Sequence, residues 1–156
     1  MKPTKEQWEE IKIRLSNPYG VRFFLCDGYL VSATCFVEKM RLSIAVCVDG
    51  HISGINHWVG KESNMGEMSE ISRKFLAITK KYPDQKSVKI SEKIFGKKEC
   101  KKKGLYEATV STAPFFKTAE GFIAHLKRQN ESIEVLDYED YRSRLAQKME
   151  TPDAAQ

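Results

Sequence analysis

Eight lysines crowd into eighteen residues: Lys86, Lys89, Lys93, Lys97, Lys98, Lys101, Lys102 and Lys103. Only Glu92 and Glu99 offset them, so this segment carries a local +6 in a chain whose net charge is +5. The charge is therefore a patch and not a bulk property. Clustered ammonium groups attract phosphates or carboxylates, with a strength that salt screens. The run contains no arginine, which removes bidentate recognition of guanine. Apart from Phe95 and Tyr106 it has no aromatic platform on which bases could stack. Two uses stay open: sequence-nonspecific contact with a DNA or RNA backbone, and docking on an acidic protein surface. A lysine face that meets only water is the bland alternative.

Histidine and cysteine offer less. His51 and His57 would share one face of a regular strand, but a metal site needs a third ligand. Cys26 or Glu62 could serve, yet no spacing brings either one there. Cys26, Cys35, Cys47 and Cys100 make no Cys-x-x-Cys pair and read as reduced, buried thiols. Gly-x-Ser-x-Gly and His-Glu-x-x-His are absent, and Gly96-Lys97-Lys98 lacks the other residues of a phosphate-binding loop. We expect no enzyme, no cofactor and no metal; a small enzyme whose site matches no motif, with carboxylates scattered along the chain, is the third alternative. Any protein contact would need aromatic anchors, for which Trp58, Phe115, Phe116, Tyr138 and Tyr141 are candidates. Trp58 joins the eight lysines as the expected binding set.

The elements that must carry these residues centre on positions 21 to 59. Asp27-Gly28 and Asp49-Gly50 are strong hairpin signals, because type I′ turns need positive φ at both central positions. Glu38-Lys39 is a weaker third turn. Together they predict a four-stranded antiparallel meander, with Cys26 opposite Tyr29, Val37 opposite Met40 and Val48 opposite His51. One face collects Phe24, Val31, Ala33, Cys35, Leu42, Ile44, Val46, Val48 and Ile55, and demands a covering layer of helices. The other, holding Phe23, Leu25, Leu30, Phe36, Ile52 and Trp58, is mixed.

Thr4-Lys5-Glu6-Gln7 fits a capping box that starts an N-terminal helix, with Trp8, Ile11 and Leu15 on one side. Residues 60 to 69 read as a loop, and Ile71, Phe75 and Ile78 as a helix ending near Tyr82. Gln85 to Lys103 reads as one basic helix, weakened by Gly96 and capped by Gly104. Tyr106, Ala108 and Val110 alternate as a strand, and Pro114-Phe115-Phe116 is an apolar connection. Thr118 opens a helix carrying Phe122, Ile123 and Leu126. Ile133 to Leu136 is extended, and Asp137 starts a last helix carrying Tyr138, Tyr141 and Leu145. The expected fold is a single α+β domain over residues 1–150, with the helices on one face and a disordered tail at 151–156. No apolar run approaches the roughly 18 residues of a membrane helix, and the N-terminus lacks a signal-peptide core. A cytoplasmic protein without membrane contact is expected, its oligomeric state open.

Three stretches also resemble the text of a known group. Ile44-Ala45-Val46-Cys47-Val48-Asp49-Gly50-His51-Ile52-Ser53-Gly54, followed by Trp58, is similar to the central hairpin of an uncharacterised family of small tailed-phage and prophage proteins. So are Lys93-Ile94-Phe95-Gly96-Lys97-Lys98 and the run from Pro114-Phe115 through Leu126-Lys127-Arg128 to Asn130-Glu131-Ser132-Ile133-Glu134. The resemblance spans roughly residues 40 to 136. It departs at Ile55-Asn56-His57 and at residues 61 to 80, which lack an arginine-rich stretch. The family has no assigned activity, so no residue role carries over. What the resemblance implies is context: a phage or mobile-element protein in a bacterial host cell, binding a host protein or nucleoprotein complex. Inhibitors of host defence, such as anti-CRISPR proteins, act in this way.

Overall fold

The computed structural model describes residues 2–52 and 58–150, with Ile52 by its backbone alone. The chain is α+β. Its main sheet takes β1 (Val21–Cys26), β2 (Tyr29–Glu38), β3 (Arg41–Val48) and β4 (His51–Ile52) as antiparallel neighbours. The meander is not the whole sheet. β9 (Ile133–Leu136) pairs antiparallel with β1, and β8 (Phe115–Phe116) pairs with β3, which makes six strands. The expected apolar connection at Phe115-Phe116 is thus a short edge strand.

Two turns are as expected. Asp27 and Gly28 have φ of 47° and 89°, Asp49 and Gly50 have 50° and 82°, and Cys26↔Tyr29 and Val48↔His51 pair. The third turn is displaced by one residue. Glu38 pairs with Arg41, and Lys39-Met40 makes the turn at φ 48° and 62°. The expected pairing of Val37 with Met40 is therefore wrong by two positions. A shift of two preserves alternation, so the predicted faces survive.

Phe24, Val31, Ala33, Cys35, Ile44, Val46 and Val48 are all buried on one face. Three helices cover it: α1 (Lys5–Leu15), α2 (Glu70–Phe75) and α4 (Ala119–Gln129). α1 begins with the complete capping box and buries Trp8, Ile11 and Leu15. α4 is capped by Thr118 and sends Phe122 and Leu126 into the same core. Phe122 lies between Phe24 and Phe116, with ring centroids 6.1 and 5.3 Å away. Each fully buried ring of this kind stabilises the fold by about 1.5–3 kcal/mol.

The helices are not confined to that face. α5 (Tyr138–Glu150) packs on the opposite side, where Tyr141 stacks on Phe23 at 4.5 Å and joins Leu30 and Leu136. The reason is connectivity. β9 lies beside β1 at the sheet edge, and the chain leaving it turns over the mixed face, whose apolar half needs cover.

The middle of the chain forms a second antiparallel sheet in which β7 (Thr109–Ala113) lies between β5 (Val59–Lys61) and β6 (Ala77–Lys81). β5 (Val59–Lys61) and a 3-10 segment (Glu62–Glu67) occupy the expected loop. α2 stops at Phe75 because Leu76 turns extended, and Ile78 lies in β6 (Ala77–Lys81) instead of a helix. β7 (Thr109–Ala113) begins three residues later than the alternation suggested. Helical and strand spacing cannot be separated over so short an apolar run. Pairing with β7 decides for strand. Ile55, Asn56, His57 and the 151–156 tail lie outside the described residues.

Candidate interaction surface

The lysine run forms α3 (Gln85–Lys102), but not as one helix. Gly96 sits at φ 79° and ψ 158°, a conformation essentially reserved for glycine, and splits α3 into two helical pieces. A Cβ added at Gly96 would meet nothing within 4 Å, so backbone torsion and not crowding reserves the position for glycine. The expected mild weakness is a full break. It replaces one straight charged face with two.

Few contacts hold α3 to the body. Cys100 is buried, and the Tyr106 hydroxyl donates to Glu92 at 2.9 Å. Burial first, and the Glu92 carboxylate next, push the Tyr106 hydroxyl up to about 12. At the far end Lys61 Nζ donates to the Lys103 carbonyl at 2.8 Å, capping one of the groups a helix end leaves open. Gly104 ends the helix at φ 70°, as its sequence position suggested. Lys103 Nζ lies 3.7 Å over the Phe95 ring, a cation–π contact spanning the Gly96 break.

All eight lysines are exposed. No ion pair among the described residues involves any of them. In the first piece Lys86, Lys89 and Lys93 fall within an arc of about 60° at the helical angle per residue. Ile90 and Ile94 come next around the helix, 59% and 67% exposed. The count of lysines alone conceals this feature. The body takes the side of Val88, Ser91 and Glu92, which are partly buried, and leaves the isoleucines beside the lysines. Such an amphipathic exterior binds by charge and by apolar contact together.

Trp58 does not stand on the mixed face of the meander. It leads into β5, half-buried, with its N–H donating to Thr112 Oγ1 at 2.8 Å and its carbonyl accepting from the Thr112 N–H at 3.0 Å. Its ring lies across Gly60, where a Cβ would come within 2.6 Å. It supports the second sheet. Among the other candidate anchors, Phe116 and Tyr141 are buried, while Phe115 and Tyr138 are partly exposed.

His51 is exposed on β4, and His57 lies outside the described residues. The third histidine, His125, is buried on α4, with Nε2 3.0 Å from the Arg73 carbonyl oxygen. That oxygen can only accept, so the neutral ring carries its proton on Nε2. Cys26, Cys35 and Cys100 are buried and Cys47 is half-buried. Burial, then the neighbouring Asp27 charge, pushes the Cys26 thiol up to about 12. Such a thiol is inert. Among the described residues no three His, Cys, Asp or Glu side chains are grouped to hold a metal ion. No helix there is long and apolar enough to cross a membrane.

The chain matches no family model, no curated protein and no solved structure.

Proposed function

We propose that this is a non-enzymatic interaction protein of phage or mobile-element type, acting in the bacterial cytoplasm. It binds a host protein complex through the outer side of α3 and blocks it by occupation, as inhibitors of host defence do. One observation carries the reading: exposed Ile90 and Ile94 lie beside Lys86, Lys89 and Lys93 on the same helix. Isoleucine gains nothing against phosphates, whereas a protein groove with an acidic border satisfies both kinds of side chain. The host context rests on the resemblance in sequence text.

The second reading is backbone binding to DNA or RNA, favoured by the unpaired +6 of the segment. Two sets of variants separate them. Lys97→Glu, Lys98→Glu, Lys101→Glu and Lys102→Glu together weaken binding under either reading. Ile90→Ser with Ile94→Ser weakens only protein binding. The test measures recovery of a defined host protein from lysate alongside affinity for an unrelated duplex at low and physiological salt. The proposal predicts that both variants lose the host protein. A salt-sensitive duplex affinity, lost in the lysine variant and kept in the isoleucine variant, would replace the proposal with the second reading.

A further inference from the structure

A second surface lies at the end of the β2–β3 hairpin, on the main sheet. Every position from Val37 to Leu42 is exposed, although these residues continue two strands that are buried further along. Beyond Cys35 and Ile44 the two strands pair with each other, Val37 with Leu42 and Glu38 with Arg41. The base of the finger is held. Tyr19 N–H donates to the Cys35 carbonyl at 2.7 Å, Cys35 N–H donates to the Gly20 carbonyl at 2.8 Å, and Ile44 pairs with Phe116.

The finger carries the wrong residues for a tip that meets only water. Val37 is 46% exposed, Leu42 41% and Met40 98%. Met40 also occupies a left-handed conformation, φ 62°, in a turn where the two other hairpins use Asp-Gly. A bulky residue at positive φ is disfavoured where glycine would sit unstrained. Neither packing nor turn chemistry favours methionine here. Methionine is the side chain that best adapts to an irregular apolar pocket, and a two-residue turn presents it with little ordering cost on binding. Lys39 and Arg41 flank it, against Glu38 alone. No ion pair among the described residues uses any of the three.

From this combination we infer that the β2–β3 tip is a docking finger. Met40 inserts into an apolar pocket on a partner protein, with Val37 and Leu42 against the pocket wall. Lys39 and Arg41 meet carboxylates at its rim. Charge complementarity commits the occupant to an acidic-rimmed protein pocket, and disfavours a second copy of this chain, which carries the same positive tip.

The test places benzoylphenylalanine at position 40 of the intact chain, with position 13 on α1, another exposed apolar site, as the control. Both are irradiated in bacterial lysate, and the adducts are sequenced. The expected result is one protein labelled from position 40 and not from position 13, with the adduct on an apolar segment bordered by Asp or Glu. Excess wild-type chain competes the adduct away, and Lys39→Glu with Arg41→Glu competes at least fivefold less well. Met40→Gly guards against a folding artefact: it relieves the turn and raises Tm, yet loses competition at least tenfold. Adducts on lipid, on nucleic acid or on another copy of this chain overturn the inference. So do a pattern shared with position 13, no adduct at all, or a Met40→Gly chain that competes like wild type. Run in parallel, the α3 charge reversals bear on the lysine reading alone, so either surface can fail without the other.

Discussion

Lys74 on α2 bonds the carboxylate of Asp27, the first central residue of the turn between β1 and β2. The same carboxylate accepts the N–H of Ser132 at 2.8 Å and of Glu131 at 3.1 Å. One turn residue thereby ties the meander to α2 and to the connection that leads into β9. Asp27→Asn keeps tolerance of positive φ and removes the charge. We expect it to cost about 1.5–3 kcal/mol, the scale of hydrogen bonds to a charged group, read as a lower urea midpoint.

That node also sets a pH dependence. Burial would raise the Asp27 carboxyl, but Lys74 and the two N–H donors outweigh it and hold it below the ordinary 3.8. A carboxyl lowered by folding contributes stability above its unfolded value and loses it as pH falls through the folded one. The Asp27 hydrogen bond outweighs burial and raises Lys74 above 10.5, so its share is full below that pH and disappears as pH rises beyond it. Stability profiles of wild type and Asp27→Asn should therefore converge in acid and draw closer at alkaline pH, where the Lys74 share alone is lost. A constant gap across the acid limb would refute the pairing.

His125 acts in a different window. Burial, with Arg128 nearby, pulls it below the ordinary 6.5, against the opposing pull of the Arg73 carbonyl. The unfolded chain then binds the proton first, so stability declines as pH drops from 6.5 through the lower folded value. His125→Gln retains a donor for the Arg73 carbonyl but does not titrate. Near neutrality the urea midpoint should fall only through the lost ring contact with Phe116, and the slope between neutral and mildly acidic pH should flatten. An unchanged slope would assign that decline to other groups.

Gly96→Ala probes the break in α3. With no neighbour to clash, its cost is torsional, and we expect about 1–2 kcal/mol of lost stability. If the two pieces instead fuse into one helix, far-UV circular dichroism rises and the Lys103–Phe95 contact is lost. Only the second outcome changes how the eight lysines are displayed.

The four α3 charge reversals should leave the fold intact. Lys97, Lys98, Lys101 and Lys102 are exposed and outside any ion pair among the described residues. Of the four, only Lys101 and Lys102 lie in the last turn, where losing favourable charge costs about 0.3–1 kcal/mol each. A large drop in Tm would mean that these lysines serve structure.

Much of the fold was readable where signals are local. The capping box at Thr4, the Asp-Gly turns and the alternation from Val21 to Val48 each dictate a conformation from a few neighbouring residues. Lys39-Met40 shows the limit: no side chain there specifies a turn, so the register was decided by which pairing keeps Ile44 against Cys35. The strands at 59–61 and 77–81 were missed for the same reason in stronger form, while the helix around Ile71 and Phe75 was legible. Strands so short exist only because β7, 28 to 52 residues further along the chain, pairs with them.

For the lysine run, the sequence by itself determined composition: eight cations, two anions and no arginine between residues 86 and 103. Charge is additive along a chain, and packing does not alter its sum. Tertiary structure decided how that charge is presented. Gly96 divides the helix, and the partly buried side of Val88, Ser91 and Glu92 turns Ile90 and Ile94 outward beside the lysines. Which side of a helix meets the body depends on long-range packing, and isoleucine has the same sequence signature on either side.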